Sequence, residues 1–165
     1  MGQIVIACFM LLAAGVVAVR YVDGIGQGPA VAAVPAASTV AYNSRSITIP
    51  RAMNGHFTTD ARVDGVRLSF VVDTGATHIA LRQSEAARLG LRPSARDYRA
   101  KVQTANGIIN VAVVDLNTVE VGGVIVRDLK ALVHPDAGLA ENLLGMSFLS
   151  RVRWTYDRGR LLLEQ

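Results

Sequence analysis

Val71-Val72-Asp73-Thr74-Gly75-Ala76 is the stretch on which the reading of this chain turns. An apolar pair runs into Asp-Thr-Gly and then a small residue. That is the pattern of a buried strand ending in one carboxylate presented on a tight turn. Gly75 opens backbone conformations closed to residues with side chains and lets a second backbone approach closely. Thr74 brings a hydroxyl able to hydrogen-bond across such an approach. Upstream, Phe57, Thr59, Ala61 and Val63 alternate with polar neighbours, and Asp64-Gly65 supplies a two-residue hairpin turn. Val66, Leu68, Phe70 and Val72 then alternate on the return strand, which delivers Asp73.

The rest of the chain is also patterned as strands. Residues 46–51 predict a short strand. Residues 81–89 contain a short helix, with Ser84 as its N-cap and Gly90 as its stop. Residues 99–103 and 108–116 flank Asn106-Gly107, a strong hairpin dipeptide. Residues 119–121 and 124–126 flank Gly122-Gly123 as another hairpin, and 129–133 is a further strand. Residues 146–151 predict a helical turn. Residues 154–156 and 161–163 pair around Asp157-Arg158-Gly159. Many short strands at regular spacing predict an all-β fold, a small closed β-barrel with one short helix and a C-terminal helical turn.

At 165 residues the chain suits one domain and an appendage. Residues 4–19 are uncharged and almost wholly apolar, and with their neighbours they reach the short end of a membrane span. No Lys or Arg precedes them, and Arg20-Tyr21-Val22-Asp23 is a poor cleavage site, so an uncleaved transmembrane helix over residues 1–22 is expected rather than a signal peptide. Residues 23–42, built mainly of Gly, Ala and Val with Pro and Ser, read as a flexible linker, and residues 43–165 as the folded domain. Arg20 on the C-terminal flank favours a cytoplasmic domain by the positive-inside rule. Cys8 is the one cysteine, so no internal disulfide exists. Val5-Ile6-Ala7-Cys8 loosely matches a lipoprotein cleavage box, but it lies too near the start, and Cys8 reads as a membrane-embedded thiol.

The net charge of +4 is spread along the domain and aromatics are few, which argues against a nucleic-acid surface. His56, His78 and His134 lie far apart, and no metal-binding spacing occurs, so neither a metal nor another cofactor is expected. Gly145-Met146-Ser147 begins like a nucleophile elbow, but Leu149 stands where the second Gly is needed.

From about Gly55 to the C-terminus the chain resembles the retropepsin-like aspartic proteases, the clan of the retroviral protease. Among them it is most similar to small membrane-anchored bacterial members. The resemblance rests on Gly55-His56-Phe57, Asp64-Gly65, residues 71–77, Ala87-Arg88-Leu89-Gly90-Leu91, Thr104-Ala105-Asn106-Gly107 and Leu143-Leu144-Gly145-Met146-Ser147-Phe148-Leu149. It implies a retropepsin-like barrel with Asp73 as the catalytic carboxylate. Thr74 would hydrogen-bond across a dimer axis, and Gly75 and Ala76 would offer N–H groups to the carboxylate. Leu143, Leu144 and Gly145 would pack behind the loop. Thr104, Ala105, Asn106 and Gly107 would form the tip of a flap that closes over a peptide. The resemblance further implies a single-pass protein of the bacterial inner membrane with a periplasmic domain, against the Arg20 count. After Ala76 the chain departs from the retroviral pattern. Thr77 stands where those enzymes carry an acidic residue that contacts the substrate backbone. His78 beside it either tunes the site or lies on the surface.

Hydrolysing a peptide with carboxylates takes two of them, one ionised to take a proton from water and one protonated to polarise the carbonyl. Two in contact share a proton and titrate as a pair. This chain has one Asp-Thr-Gly. Val113-Val114-Asp115-Leu116-Asn117 has the apolar lead-in but neither Thr nor Gly, and Asp115 reads better as a strand-end turn residue. The second carboxylate must then come from a second copy, so a homodimer acting on peptides is expected. The rival readings are a non-catalytic module that binds peptides or scaffolds the cell envelope, and a monomer activated only by crowding in a membrane. In the blander readings Asp73 is a hydrogen-bonded turn residue and Asn106-Gly107 a plain hairpin.

Overall fold

Asp64 and Gly65 take φ values of 46° and 89°, the left-handed pair that a two-residue hairpin turn requires. They join β2 (Thr58–Val63) to β3 (Val66–Val72), which pair antiparallel from Thr58↔Val71 to Val63↔Val66. The computed structural model describes residues 45–104 and 107–165. The expected anchor over residues 1–22, the linker over 23–42 and the flap residues Ala105 and Asn106 lie outside the described residues. No helix among the described residues is long and apolar enough to cross a membrane.

After β3 come β4 (Ile79–Arg82), α1 (Gln83–Arg88), β5 (Ala100–Thr104), β6 (Gly107–Val121), β7 (Val124–His134), β8 (Asn142–Leu144) and α2 (Met146–Leu149). The hydrogen-bonded order is β2-β3-β8-β4-β7-β6, and β6 returns to β2 through Arg62↔Glu120 and Val63↔Val119. That return closes the ring, so the chain forms the mostly β, closed barrel that its strand pattern predicts. Asp64 reinforces the closure, its Oδ1 accepting the Thr118 N–H at 2.7 Å. β5 pairs with β6 outside the ring. A second, three-stranded sheet joins β1 (Ser46–Pro50), β10 (Arg160–Glu164) and β9 (Arg153–Asp157) in the order β1-β10-β9.

Leu68 and Phe70 of β3, Ile79 and Leu81 of β4, Leu144 of β8 and Phe148 of α2 meet in one buried core with Leu163 of β10. Removing such side chains from water is the main favourable contribution to folding.

Four local expectations need correction. Residues 108–116 and 119–121 are not two strands but one, β6, and residues 124–126 and 129–133 are both parts of β7. The buried apolar positions are Val111, Ala112 and Leu116, then Val119 and Val121, on β6. On β7 they are Val124 and Val126, then Leu129, Ala131 and Val133. Both strands thus change buried face near Asn117 and Asp128, where Asp128 takes a φ of 56°. A two-residue period broken at that point reads from sequence as separate strands. β4 falls within and just before the stretch expected to hold the helix. Ser84 is not the N-cap: Arg82 holds that position without a side-chain cap. Ser84 lies in the first turn, and its N–H and hydroxyl both donate to Asp136 Oδ1, at 3.0 and 3.1 Å. The helix start is therefore capped from a distant loop. Gly90, at φ 80°, is the stop that was expected.

Candidate active site

β3 ends at Val72, and the loop that follows folds back on its own carboxylate. The Gly75 N–H donates to Asp73 Oδ1 at 2.8 Å. The Ala76 N–H donates to the Asp73 carbonyl at 3.3 Å, closing the turn. Gly75 has no positive φ, so its expected role as a left-handed turn residue is not the one it plays. A Cβ there would sit 3.1 Å from Asp73 Oδ1, and glycine leaves that oxygen room beside the N–H that it accepts. Asp73 is half-buried, whereas Thr74, Gly75 and Thr77 are exposed. The Thr74 hydroxyl has no partner among the described residues.

The loop is clamped from behind. β8 runs parallel to β3, with Val71↔Leu143 and Val72↔Leu144, and antiparallel to β4 at Ala80↔Leu143. It therefore lies between the two strands that the Asp73 loop connects. The Asp73 N–H donates to the Leu144 carbonyl at 3.2 Å, and the Met146 N–H donates to the Ala76 carbonyl at 2.8 Å. Between these bonds Gly145 crosses the loop. A Cβ on it would meet the His78 carbonyl oxygen at 2.2 Å and that of Ala76 at 2.6 Å. Only glycine fits that crossing. Thr74, Gly75, Ala76, Leu143, Leu144 and Gly145 are thus brought together around Asp73.

Two residues that the sequence reading passed over complete the clamp. Asn142 is buried; its Oδ1 accepts the Arg82 N–H at 2.9 Å and its Nδ2 donates to the Ser69 carbonyl at 3.0 Å. It thereby ties β3 to β4 through β8. Ser147 Oγ accepts the Ile79 N–H at 2.9 Å, where the loop re-enters the sheet. The signal that could have found Asn142 is a polar residue leading straight into the apolar Leu143-Leu144 pair.

Asp73 and Thr74 open on a cleft of about 210 Å³ lined by Phe57, Val72, Leu149 and Leu161, with Trp154 and Tyr156 of β9. Phe57 and Tyr156 pack edge to face at 5.9 Å. No flap residue lines this cleft among the described residues. Thr104 and Gly107 are register partners where β5 meets β6, and Thr104 Oγ1 donates to the Gly107 carbonyl at 2.8 Å. His78 is half-buried, and its carbonyl is the one that Gly145 crosses. Asp115 is not the strand-end turn residue that was expected: it lies within β6, opposite Lys130 of β7 in the ladder, exposed and paired with that lysine at 2.7 Å. Among the described residues no three His, Cys, Asp or Glu side chains are grouped as metal ligands would be.

In the loop after β7, Asp136 is held below the usual carboxylate range. The Ser84 N–H contributes most, with the Ser84 hydroxyl and Arg82 adding, against an opposing contribution from burial. Burial pushes His134 below the ordinary imidazole value, and its Nδ1 has no partner among the described residues.

Residues 59–151 match the model of the family described as gag-polyprotein putative aspartyl protease. A crystal structure of a retropepsin-like aspartic protease from Rickettsia conorii superposes with a TM-score of 0.66 at 36% identity, covering 73% of this chain and 91% of that one. An uncharacterized protein of the cobV 5′ region in Sinorhizobium is 37% identical over 131 residues, 78% of this chain and 56% of the relative. An uncharacterized protein of Rickettsia prowazekii (strain Madrid E) is 38% identical over 119 residues, 71% of this chain and 50% of the relative. The chain spans about half the length of the curated relatives it matches.

Proposed function

The chain belongs to the retropepsin-like aspartic proteases, and from that premise we propose that it is a homodimeric aspartic endopeptidase anchored to a membrane. The carrying observation is the Asp73 carboxylate, oriented by the Gly75 N–H on a loop that Gly145 clamps from behind. A carboxylate so fixed meets a substrate without reorganising.

One Asp73 from each subunit forms the catalytic pair. The ionised carboxylate takes a proton from water as the water oxygen attacks the scissile carbonyl carbon, while the protonated carboxyl gives its proton to the carbonyl oxygen. The resulting diol collapses and the C–N bond breaks. The leaving nitrogen takes the proton that came from water, and the diol proton returns to the pair, so one water is added across the peptide bond. Thr74, exposed at the loop's outer side, hydrogen-bonds to the partner subunit across the two-fold axis. The Thr104–Gly107 hairpin end closes over the peptide and excludes water. Thr77 brings a hydroxyl to the substrate backbone, with no charge.

Residues 1–22 anchor the enzyme as a single pass in the bacterial inner membrane, with residues 43–165 in the periplasm. The uncharged run over residues 4–19 supports this reading, and protease added to spheroplasts tests the side. For the activity, purified wild-type chain and Asp73→Asn are incubated with a peptide library and new termini are identified. Cleavage by wild type alone is expected. Equal cleavage by Asp73→Asn removes Asp73 from the mechanism.

A further inference from the structure

Residues 91–99 link α1 to β5, and they carry most of the chain's excess charge. Arg92, Arg96, Arg99 and, at the start of β5, Lys101 stand against Asp97 alone, which leaves residues 92–101 at +3 in a chain of net charge +4. All four cations are exposed. None of them is in an ion pair among the described residues. Asp97 serves its own turn instead: its Oδ2 accepts the Ser94 N–H at 2.6 Å and the Ser94 hydroxyl at 2.7 Å.

The loop holds the cations in a fixed arrangement. The Asp97 N–H donates to the Ser94 carbonyl and the Arg99 N–H to the Asp97 carbonyl, both at 2.9 Å, and Arg99 Nε donates to the Arg96 carbonyl at 2.6 Å. Tyr98 packs against the core and buries its hydroxyl. A cationic surface already ordered in this way meets an anionic partner with little loss of freedom. Arginine forks suit carboxylates in particular. The position of the loop narrows the partner. It runs into β5, where Lys101 and Gln103 are exposed and which ends at the Thr104–Gly107 hairpin end. β5 pairs only with β6 among the described residues, so its other edge is open beside the cations. A polypeptide that reaches the hairpin end along this edge passes them. A membrane surface fits less well, because it is met by cations together with exposed aromatic or large apolar side chains, and the loop's one aromatic is turned into the core.

We propose that residues 92–101 form a docking surface for an acidic stretch of polypeptide, carried by the substrate outside the residues cleaved at Asp73. The proposal rests on the peptidase reading and adds a substrate class to it, proteins with an Asp- or Glu-rich segment near the cleaved bond. Each exposed charge pair contributes little alone, so the selection comes from several acting together.

The test uses the full chain in detergent micelles at low salt, where surface charges are least screened. Binding is read on the Asp73→Asn chain by fluorescence anisotropy of labelled octaglutamate, with octaglutamine as its neutral match. Octaglutamate is expected to bind about tenfold tighter, the margin that a few weak exposed pairs supply together, and to lose that margin in high salt. The triple variant Arg92→Glu/Arg96→Glu/Lys101→Glu is expected to lose the preference and to bind octalysine instead, a reversal that also shows the variant is folded. Arg45→Glu/Arg127→Glu/Arg151→Glu makes the same change of charge at exposed, unpaired arginines elsewhere, and it is expected to keep the preference for octaglutamate. Equal binding of octaglutamate and octaglutamine, or equal loss in both triple variants, overturns the docking surface and leaves the cations as guards of the open β5 edge. Displacement of octaglutamate by phosphatidylglycerol at equal charge, and not by phosphatidylcholine, assigns the loop to a lipid surface and overturns it too. Cleavage by the chain with Asp73 intact is scored separately, on a peptide that it cuts, extended with glutamate or with glutamine. The glutamate tail is expected to lower KM and leave kcat unchanged. Octaglutamate binding without any cleavage keeps the docking surface and removes the peptidase. Cleavage indifferent to the tail keeps the peptidase and removes the docking surface.

Discussion

Gly75 and Gly145 are both glycine at the site, for different reasons. The Gly145 substituent would run into backbone, the His78 oxygen at 2.2 Å and the Ala76 oxygen at 2.6 Å. Gly145→Ala must move the loop or the strand, and it is expected to cost about 1–3 kcal/mol of stability, the usual range for overpacking, as well as activity. The Gly75 substituent would meet one movable side-chain atom at 3.1 Å. Gly75→Ala is therefore expected to melt close to wild type yet to lose part of its cleavage, because the carboxylate must shift by a few tenths of an ångström beside its N–H. Thermal melts beside a peptide assay distinguish the two, and the reverse ordering would refute this account of the loop. The crossing at Gly145 was legible in the Leu-Leu-Gly signature. The reason for Gly75 was not, because a tripeptide does not show which neighbouring atom needs the space. His134 carries a separate expectation. Burial lowers its folded value below the 6.5 usual for imidazole. The unfolded chain therefore takes up a proton near that pH while the folded chain resists. Stability is full above about pH 6.5 and declines as the pH falls toward the lowered value. His134→Gln should flatten that decline in urea titrations between pH 7 and 5. Asp136 and Asp97, both lowered from 3.8, act in a more acidic window, contributing above that value and failing below it.

β8 is three residues long and makes the site by joining strands distant from it in sequence. Val71 and Val72 meet Leu143 and Leu144, and Ala80 meets Leu143 as well. Nothing local in Asn142-Leu143-Leu144 announces a strand inserted between β3 and β4, and hydrophobic periodicity has no purchase on so short a run. The hairpins at Asp64-Gly65 and Arg158-Gly159 were legible because their turn chemistry is local. The start of α1 was not, because its capping carboxylate, Asp136, lies far along the chain. The same long-range logic predicts the consequence of Asn142→Ala. Two backbone groups, the Arg82 N–H and the Ser69 carbonyl, lose their partner. A fully buried group left unsatisfied costs about 1–3 kcal/mol, and because Ser69 is exposed and Arg82 half-buried the loss here falls toward the low end. The urea midpoint should fall with an unchanged m-value, whereas the exposed neighbour substitution Glu141→Ala should leave it in place. Equal midpoints for the two variants would show that Asn142 does not hold β3 to β4.

The barrel could be read from residues 45–165 because most of its strands alternate or are bounded by a turn, the short β4 and β8 being the exceptions. The second carboxylate of the proposed dyad could not, because on that proposal it comes from a second copy. One Asp-Thr-Gly in a closed barrel leaves the proposed chemistry half-supplied, so activity must depend on association. In dilute solution cleavage should rise faster than linearly with enzyme concentration, approaching the square when most chains are monomeric. Thr74→Ala should steepen this dependence. Its exposed hydroxyl, without a partner among the described residues, is the group placed to bond across the axis. A neutral hydrogen bond contributes roughly 0.5–1.5 kcal/mol, and the two-fold axis repeats the loss. The dimer constant should then weaken by roughly one to two orders of magnitude, while turnover per dimer at saturating concentration changes little. Sedimentation and a cleavage assay on the same samples check both halves. If a chain that sediments as a monomer hydrolyses peptide in strict proportion to its concentration, the shared dyad is wrong. Asp115 is then the first carboxylate to substitute, although its exposed pairing with Lys130 on the β6–β7 ladder argues that its removal would change nothing.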